Sequence, residues 1–216
     1  MHTDSDSTPP PAAPGGRASR RRLLVLNLAV DDSDPILGFC TDWIRALAER
    51  VPEVDVLTMR LGSYDLPSNV RVYSAGKERG WSEPHRLLEF YLQLGRLLAG
   101  PSYAGCFAHM QPLFALLGAP LLKVRRVPLT LWYTHSETTR RLRAAVKVSD
   151  RVITADRDSL GVATTKLTVT GHGIDTNRFL PALRAGAPHH FVAVGRIAPV
   201  KRLELLVDAV SKLIMA

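Results

Sequence analysis

The sequence predicts an α/β protein built on a doubly wound, mostly parallel sheet. Short β-rich runs alternate with segments of helical periodicity from residue 22 onward, and such repeated βα units imply parallel strands joined by crossing helices. The first run, LLVLNLAV (Leu23 to Val30), is continuously apolar, as expected for a strand covered on both faces. With 46% hydrophobic residues in 216, the chain has enough apolar content for a core of ordinary size.

The elements follow in order. After the first strand, DDSDPILGF reads as a loop and TDWIRALAERV as a helix capped by Thr41. EVDVLTM and VRVYSA are short strands. PHRLLEFYLQLGRLLAG is helical, with Leu87, Tyr91, Leu94 and Leu98 on one face and Gly100-Pro101 as the stop. AGCFAHM is a strand ending at His109. FALLGAPLLKVRR is a mostly helical crossing, interrupted from Gly118 to Pro120. VPLTLWYTH is a strand ending at His135, and SETTRRLRAAVKVSD a helix with Ser136 as cap. RVITA and KLTVT are two more strands. Phe191 to Val194 reads as a buried strand, leading through a tight loop to a helix from Val200. That helix carries an apolar stripe of Leu203, Leu206, Val207, Val210, Leu213 and Ile214. The predicted organisation is a disordered Pro/Gly/Arg-rich tail over 1–21, a first domain over 22–180, and a linker with one βα unit of a second domain over 181–216.

Composition narrows the function. The start, MHTDSDSTPPPAAPGG, has no apolar segment of a signal peptide. The longest apolar run, from Leu113, is ten residues, too short to span a bilayer. Cys40 and Cys106 sit in apolar surroundings and read as reduced, buried thiols of a cytoplasmic protein. Net charge is +8, and residues 121–147 hold seven cations against the single acid Glu137, a local +6. Such a stretch attracts an anionic lipid surface or a phosphorylated substrate, or is a set of solvated helix faces. The basic residues are not interleaved with stacking aromatics, which argues against nucleic acid. G-x-S-x-G, a P-loop and G-x-G-x-x-G after the first strand are all absent, which weakens hydrolase, nucleoside-triphosphatase and dinucleotide readings.

Ligands of doubly wound sheets bind outside the carboxyl ends of the strands. That rule selects Asp31 to Gly38, His109, His135 with Glu137, and the Gly171-His172-Gly173 turn. It also selects Gly195 to Lys201, where Arg196 leaves a turn and Lys201 lies in the first turn of the following helix. A helix N-terminus with an Arg and a Lys suits a diphosphate; the alternative is a surface loop with two solvated cations. His109 either faces a ligand or is a hydrogen-bonded structural group. DSD at Asp32 to Asp34 lies among ordinary turn formers, and no metal is predicted.

Three segments together resemble glycosyltransferase family 4: AHMQPLFALLGAPLLKVRRVPLTLWYTH, SDRVITADRDSL with KLTVTGHGIDTNRF, and FVAVGRIAPVKRLELLVDAVSKL. The resemblance implies the GT-B architecture, two Rossmann-like domains facing across a cleft. It implies transfer of a sugar from a nucleotide diphosphate sugar to an acceptor hydroxyl, with retained configuration and no cofactor or essential metal. His109 would then reach the donor sugar as the catalytic histidine, and Arg196 and Lys201 would hold the donor diphosphate. Gly173 matches the glycine of the family's N-G-I/V-D turn, with His172 in place of Asn. Only Gly38 stands where the family carries a Gly-Gly pair, and Arg202 replaces the glycine after Lys201. The expected partners are a nucleotide sugar and a carbohydrate or lipid-linked acceptor, with peripheral membrane contact through 123–147 at the cytoplasmic face. The family's second domain supplies further βα units and an E-x7-E pair that this chain lacks. A truncated second domain, with little or no turnover by the chain alone, is therefore the expectation. Two other readings are carried: a non-catalytic acceptor- or membrane-binding module, and a GT-B nucleotide-sugar epimerase.

Overall fold

The computed structural model describes residues 22–135, 137–177, 179–180, 191–195, 197 and 199–215. Expectations for the 1–21 tail, the Ser136 cap and Arg196 fall outside these residues. The chain divides after Gly173 into two compact units.

The first unit is a seven-stranded, wholly parallel sheet in the order β3-β2-β1-β4-β5-β6-β7. Its strands are β1 (Arg22–Val30), β2 (Glu53–Leu61), β3 (Val70–Ser74), β4 (Tyr103–His109), β5 (Leu129–Trp132), β6 (Arg151–Thr154) and β7 (Leu167–Val169). Its helices are α1 (Phe39–Ala48), α2 (Glu83–Ala99), α3 (Pro112–Val124) and α4 (Arg140–Val148). Leu24 and Leu26 of β1 point into a core with Phe90, Leu94, Phe114, Leu122 and Leu142 of α2, α3 and α4. The alternate Val25, with Val54 and Val56, packs on Ile44 and Ala48 of α1. Two buried faces explain why β1 is apolar without alternation. At the other end of the strands, Asp55 is buried and accepts from Arg22 (3.2 Å) and the Tyr103 hydroxyl (2.8 Å).

Several expectations need correction. α1 begins at Phe39, so Thr41 is inside the first turn; its hydroxyl bonds Asp32 and the Gly38 carbonyl (2.7 Å) instead of capping. The cap of α4 is Thr139, whose oxygen accepts from the Leu142 N–H at 3.0 Å. α2 buries Phe90, Leu94 and Leu98, Tyr91 packs partly buried against the same core, and Leu87 is exposed; the buried face is turned toward Phe90 from the predicted stripe. α3 is continuous through Gly118 and Pro120. A Cβ on Gly118 would lie 3.2 Å from Leu26 Cδ1 and from Leu122 Cδ1, so this glycine serves close helix–sheet packing, and packing holds the helix across the proline. β5 stops at Trp132, not at His135.

The basic stretch is not one patch. α3 runs antiparallel to the strands, so Lys123, Arg125 and Arg126 lie at the amino edge of the sheet. Arg140, Arg141 and Arg143 open α4 at the carboxyl edge.

The second unit holds a 3-10 turn (Pro199–Lys201) and α5 (Leu203–Met215). Phe191 to Val194 form no strand and are exposed; a strand needs a partner to satisfy its backbone groups, and none lies beside them among the described residues. The α5 stripe is formed but largely exposed, at Leu206, Val207, Leu213 and Ile214. Arg202, with φ 47°, separates the 3-10 turn from α5, so Lys201 precedes the helix instead of lying in its first turn.

Candidate functional site

In the strand order, β1 lies between β2 and β4. The connection from β1 leaves toward β2, while β4 opens the other half of the sheet, so the crevice outside the carboxyl ends of β1 and β4 is the topological switch point. Two features occupy it: the Asp31–Gly38 loop and His109.

His109 ends β4 and is 4% exposed. Its ring is enclosed by Trp43 (5.4 Å between centroids), Phe39 (6.1 Å, edge-on) and Phe107 (6.2 Å). Trp43 in turn packs on Trp132 at 4.9 Å. The Cys40 sulfur stands 3.9 Å from Nδ1. Nε2 is buried and has no hydrogen-bond partner among the described residues. Burial pulls the imidazole down to a pKa of about 4, so it is neutral at pH 7. The following residue, Met110, takes a left-handed φ of 58° and donates its N–H to the Trp132 carbonyl at 2.8 Å. This turn ends the strand directly after the histidine. Phe39 is 47% exposed and is the enclosing side chain most open to solvent.

The Asp31–Gly38 loop is acidic and internally neutralised. Asp32 receives two hydrogen bonds from Arg45 Nη2 (2.9 and 2.8 Å), one from the Asp65 N–H (2.9 Å) and one from Thr41. The Thr41 hydroxyl is the largest cause of its lowered pKa, with burial opposing and Arg45 assisting. Asp34 is ion-paired with Arg60 and accepts the N–H groups of Ile36 (2.8 Å) and Leu37 (2.7 Å). Asp31 accepts from the Ser33 hydroxyl at 2.7 Å, the leading cause of its own lowered pKa. Gly38 sits at the N-cap of α1, where a Cβ would come within 2.8 Å of the Asp34 carbonyl oxygen. Gly62 faces the loop from the end of β2, and a Cβ there would fall 2.2 Å from the Asp31 carboxyl carbon.

The remaining candidates are spread along the same edge. His135 Nδ1 accepts the Glu137 N–H at 3.1 Å, and the His135 N–H bonds the Ser159 carbonyl at 3.0 Å. Both side chains are exposed. His172 and Gly173 are exposed beyond β7, after Gly171 at φ 74°. β7 lies three strands from β4, about 14 Å along the edge. The sheet thus brings Gly38 and His109 to adjacent strand ends, places His135 and Glu137 after β5, the strand next to β4, and leaves His172 and Gly173 apart from them. Lys201 is exposed and belongs to the second unit. Among the described residues no group of three His, Cys, Asp or Glu side chains is placed to hold a metal ion, and no helix is long and apolar enough to cross a membrane.

Sequence reasoning missed Phe39, Cys40 and Trp43 as the enclosure of His109. Their signal is the spacing FCTDW at the head of α1, which puts residues 39, 40 and 43 on one helical face. Arg45 and Arg60 as loop clamps carry no local signal, because their partners are distant in sequence.

No family model matches the sequence, and no curated protein matches it. Among solved structures the chain is similar to HepE from Anabaena, solved in complex with UDP: TM-score 0.50 at 17% identity, covering 72% of this chain and 45% of that one. Also similar are MurG from Acinetobacter baumannii (0.48, 11% identity, 73% and 48% covered) and UDP-GlcNAc 2-epimerase from Methanocaldococcus jannaschii (0.47, 12%, 68% and 45%). The chain spans less than half the length of each. At such identities the likeness is one of fold: a Rossmann-like α/β sheet as in GT-B proteins.

Proposed function

We propose that the chain carries the acceptor-side domain of a GT-B glycosyltransferase, of the family 4 type, which transfers a sugar from a nucleotide diphosphate sugar to an acceptor hydroxyl. The observation that carries this reading is His109. A neutral, buried imidazole with one nitrogen unpartnered among the described residues stands at the switch point of a doubly wound sheet, where such folds bind their ligands.

In this reading His109 contacts the donor sugar once Phe39 moves aside. Arg196 and Lys201 hold the diphosphate before the N-terminus of α5, and their charge stabilises the leaving group as the glycosidic bond breaks. The chain's own cations take the place of a metal ion, and configuration is retained. The acceptor is a carbohydrate or lipid-linked hydroxyl. Of the two basic clusters, Arg140, Arg141 and Arg143 share the carboxyl edge with His109, and these are the residues we assign to an anionic acceptor or to the membrane that presents it.

Product analysis on the full-length native protein, over a panel of nucleotide sugars and acceptors, tests the proposal. Free nucleoside diphosphate and a glycosylated acceptor are expected, with kcat lowered about 10²-fold or more in Arg196→Ala and Lys201→Ala. Epimerised nucleotide sugar without diphosphate release would replace the proposal with the epimerase reading. Neither product, with retained acceptor or vesicle binding, would replace it with a binding module.

A further inference from the structure

We propose that Arg86 binds an oxyanion, the phosphate or carboxylate of a ligand that reaches the carboxyl edge of the sheet beside the start of α3. The Arg86 side chain is 17% exposed. Its Nε is buried and has no hydrogen-bond partner among the described residues. The acid paired with it is Glu83, 3.7 Å from Nη2 and itself 92% exposed. At that distance the two are not hydrogen-bonded, and a pair with one partner in water is worth little.

Arg22 shows what the fold does elsewhere with an equally buried guanidinium. At 17% exposure it is held by both Glu53 and Asp55. Arg86 has no such pair among the described residues. On its flanks, Glu78 accepts the Leu61 N–H (3.1 Å) and the Ser74 hydroxyl (2.8 Å), and Glu89 accepts from Gln93. Residues 90–136 contain no Asp or Glu. A desolvated charge without a partner costs far more than a paired one, so the missing partner is expected from outside the chain.

Helix packing places that partner. Arg86, Phe90, Leu94 and Leu98 recur at every fourth position of α2, and the last three belong to the core. Phe90 stacks on Phe114 of α3 with ring centroids 6.1 Å apart, and both helices run from the carboxyl edge. Arg86 is one turn before Phe90; Gln111, the N-cap of α3, is about one turn before Phe114. The guanidinium therefore stands level with the start of α3. That end of a helix is itself positive, and the Gln111 side chain makes no capping bond there, so the local backbone adds to the positive field. Gln111 is two residues after His109, about 7 Å of chain at most, and one ligand can span both.

The oxyanion belongs to the acceptor if the donor diphosphate lies on Arg196 and Lys201; that assignment rests on the glycosyltransferase reading, and the binding does not. The probe is the Arg86 Nε–H resonance in a ¹H–¹⁵N spectrum of the 216-residue chain, followed as inorganic phosphate, acetate or chloride is added at equal ionic strength. A saturable downfield shift with phosphate or acetate, and none with chloride, is expected. The oxyanion that saturates at the lower concentration identifies the ligand group. By calorimetry the affinity for that anion should fall about tenfold or more in Arg86→Gln. It should stay within about twofold in Arg79→Gln, which removes the exposed cation over Trp81. No saturable shift, or the same shift in chloride, would mean a solvated cation only and overturn the proposal, as would undiminished affinity in a folded Arg86→Gln. The parent spectrum decides the matter if Arg86→Gln does not fold. Failure of the transferase reading would appear as missing products with oxyanion binding intact.

Discussion

His109 carries no charge at neutral pH because the aromatic enclosure gives an imidazolium nothing to replace water. That has a consequence for stability. The pKa of the folded state, about 4, lies below the ordinary imidazole value of 6.5, so between those values the unfolded chain binds the extra proton. The contribution of this group is complete above pH 6.5 and declines as pH falls toward 4. The loss amounts to about 3 kcal/mol across that window. Urea denaturation at pH 7 and at pH 4.5 should show the decline in the parent and a flatter dependence in His109→Gln. Equal slopes would mean that the imidazole is hydrated in the folded state. The residue was legible as a strand-end histidine; its enclosure was not, because Cys40 and Trp43 reach it only when α1 packs across β1 and β4.

At the scale of elements, α3 shows tertiary packing overriding a local breaker. Pro120 removes one intrahelical N–H and crowds the carbonyl of Leu116, yet α3 runs unbroken because Phe114, Ala115, Ala119 and Leu122 are buried against the sheet. Pro120 itself is exposed, so Pro120→Ala leaves the packing alone. It should stabilise the protein by about 1–3 kcal/mol, the helix-interior penalty less the lost rigidity of the unfolded chain, measured as a higher urea midpoint with unchanged slope. The positions of the first unit's strands and helices were legible from the alternation of apolar runs and helical faces. Their ends were less so. α1 starts at Phe39 because Asp34 and Gly38 organise the preceding loop, and Thr41 is drawn to Asp32. Phe191–Val194 has the composition of a strand and lacks, among the described residues, a partner to make it one.

For the molecule as a whole, the sequence implied parallel βα units, but the order that places β4 beside β1 depends on pairings across more than fifty residues. The switch point, and with it the crevice that His109 shares with the acidic loop, is a property of that order. The two units also differ in what they bury. The sheet is lined by fully buried side chains on both faces, whereas α5 exposes Leu206, Val207, Leu213 and Ile214. Amides of α5 should therefore exchange with solvent about 10²-fold faster or more than those of β1, β2 and β4, as local opening there exposes little additional apolar surface. Hydrogen exchange followed by mass spectrometry checks this; equal protection would show that the second unit opens only with the first. The close fit of Gly62 against the Asp31 carboxylate reaches into the history of the chain. One parcel of space is shared by two codons, so a larger residue at 62 must either push the Asp31 carboxylate off its bond to Ser33 or follow a change that shortens residue 31. The order of such changes, and not just their identity, is then constrained.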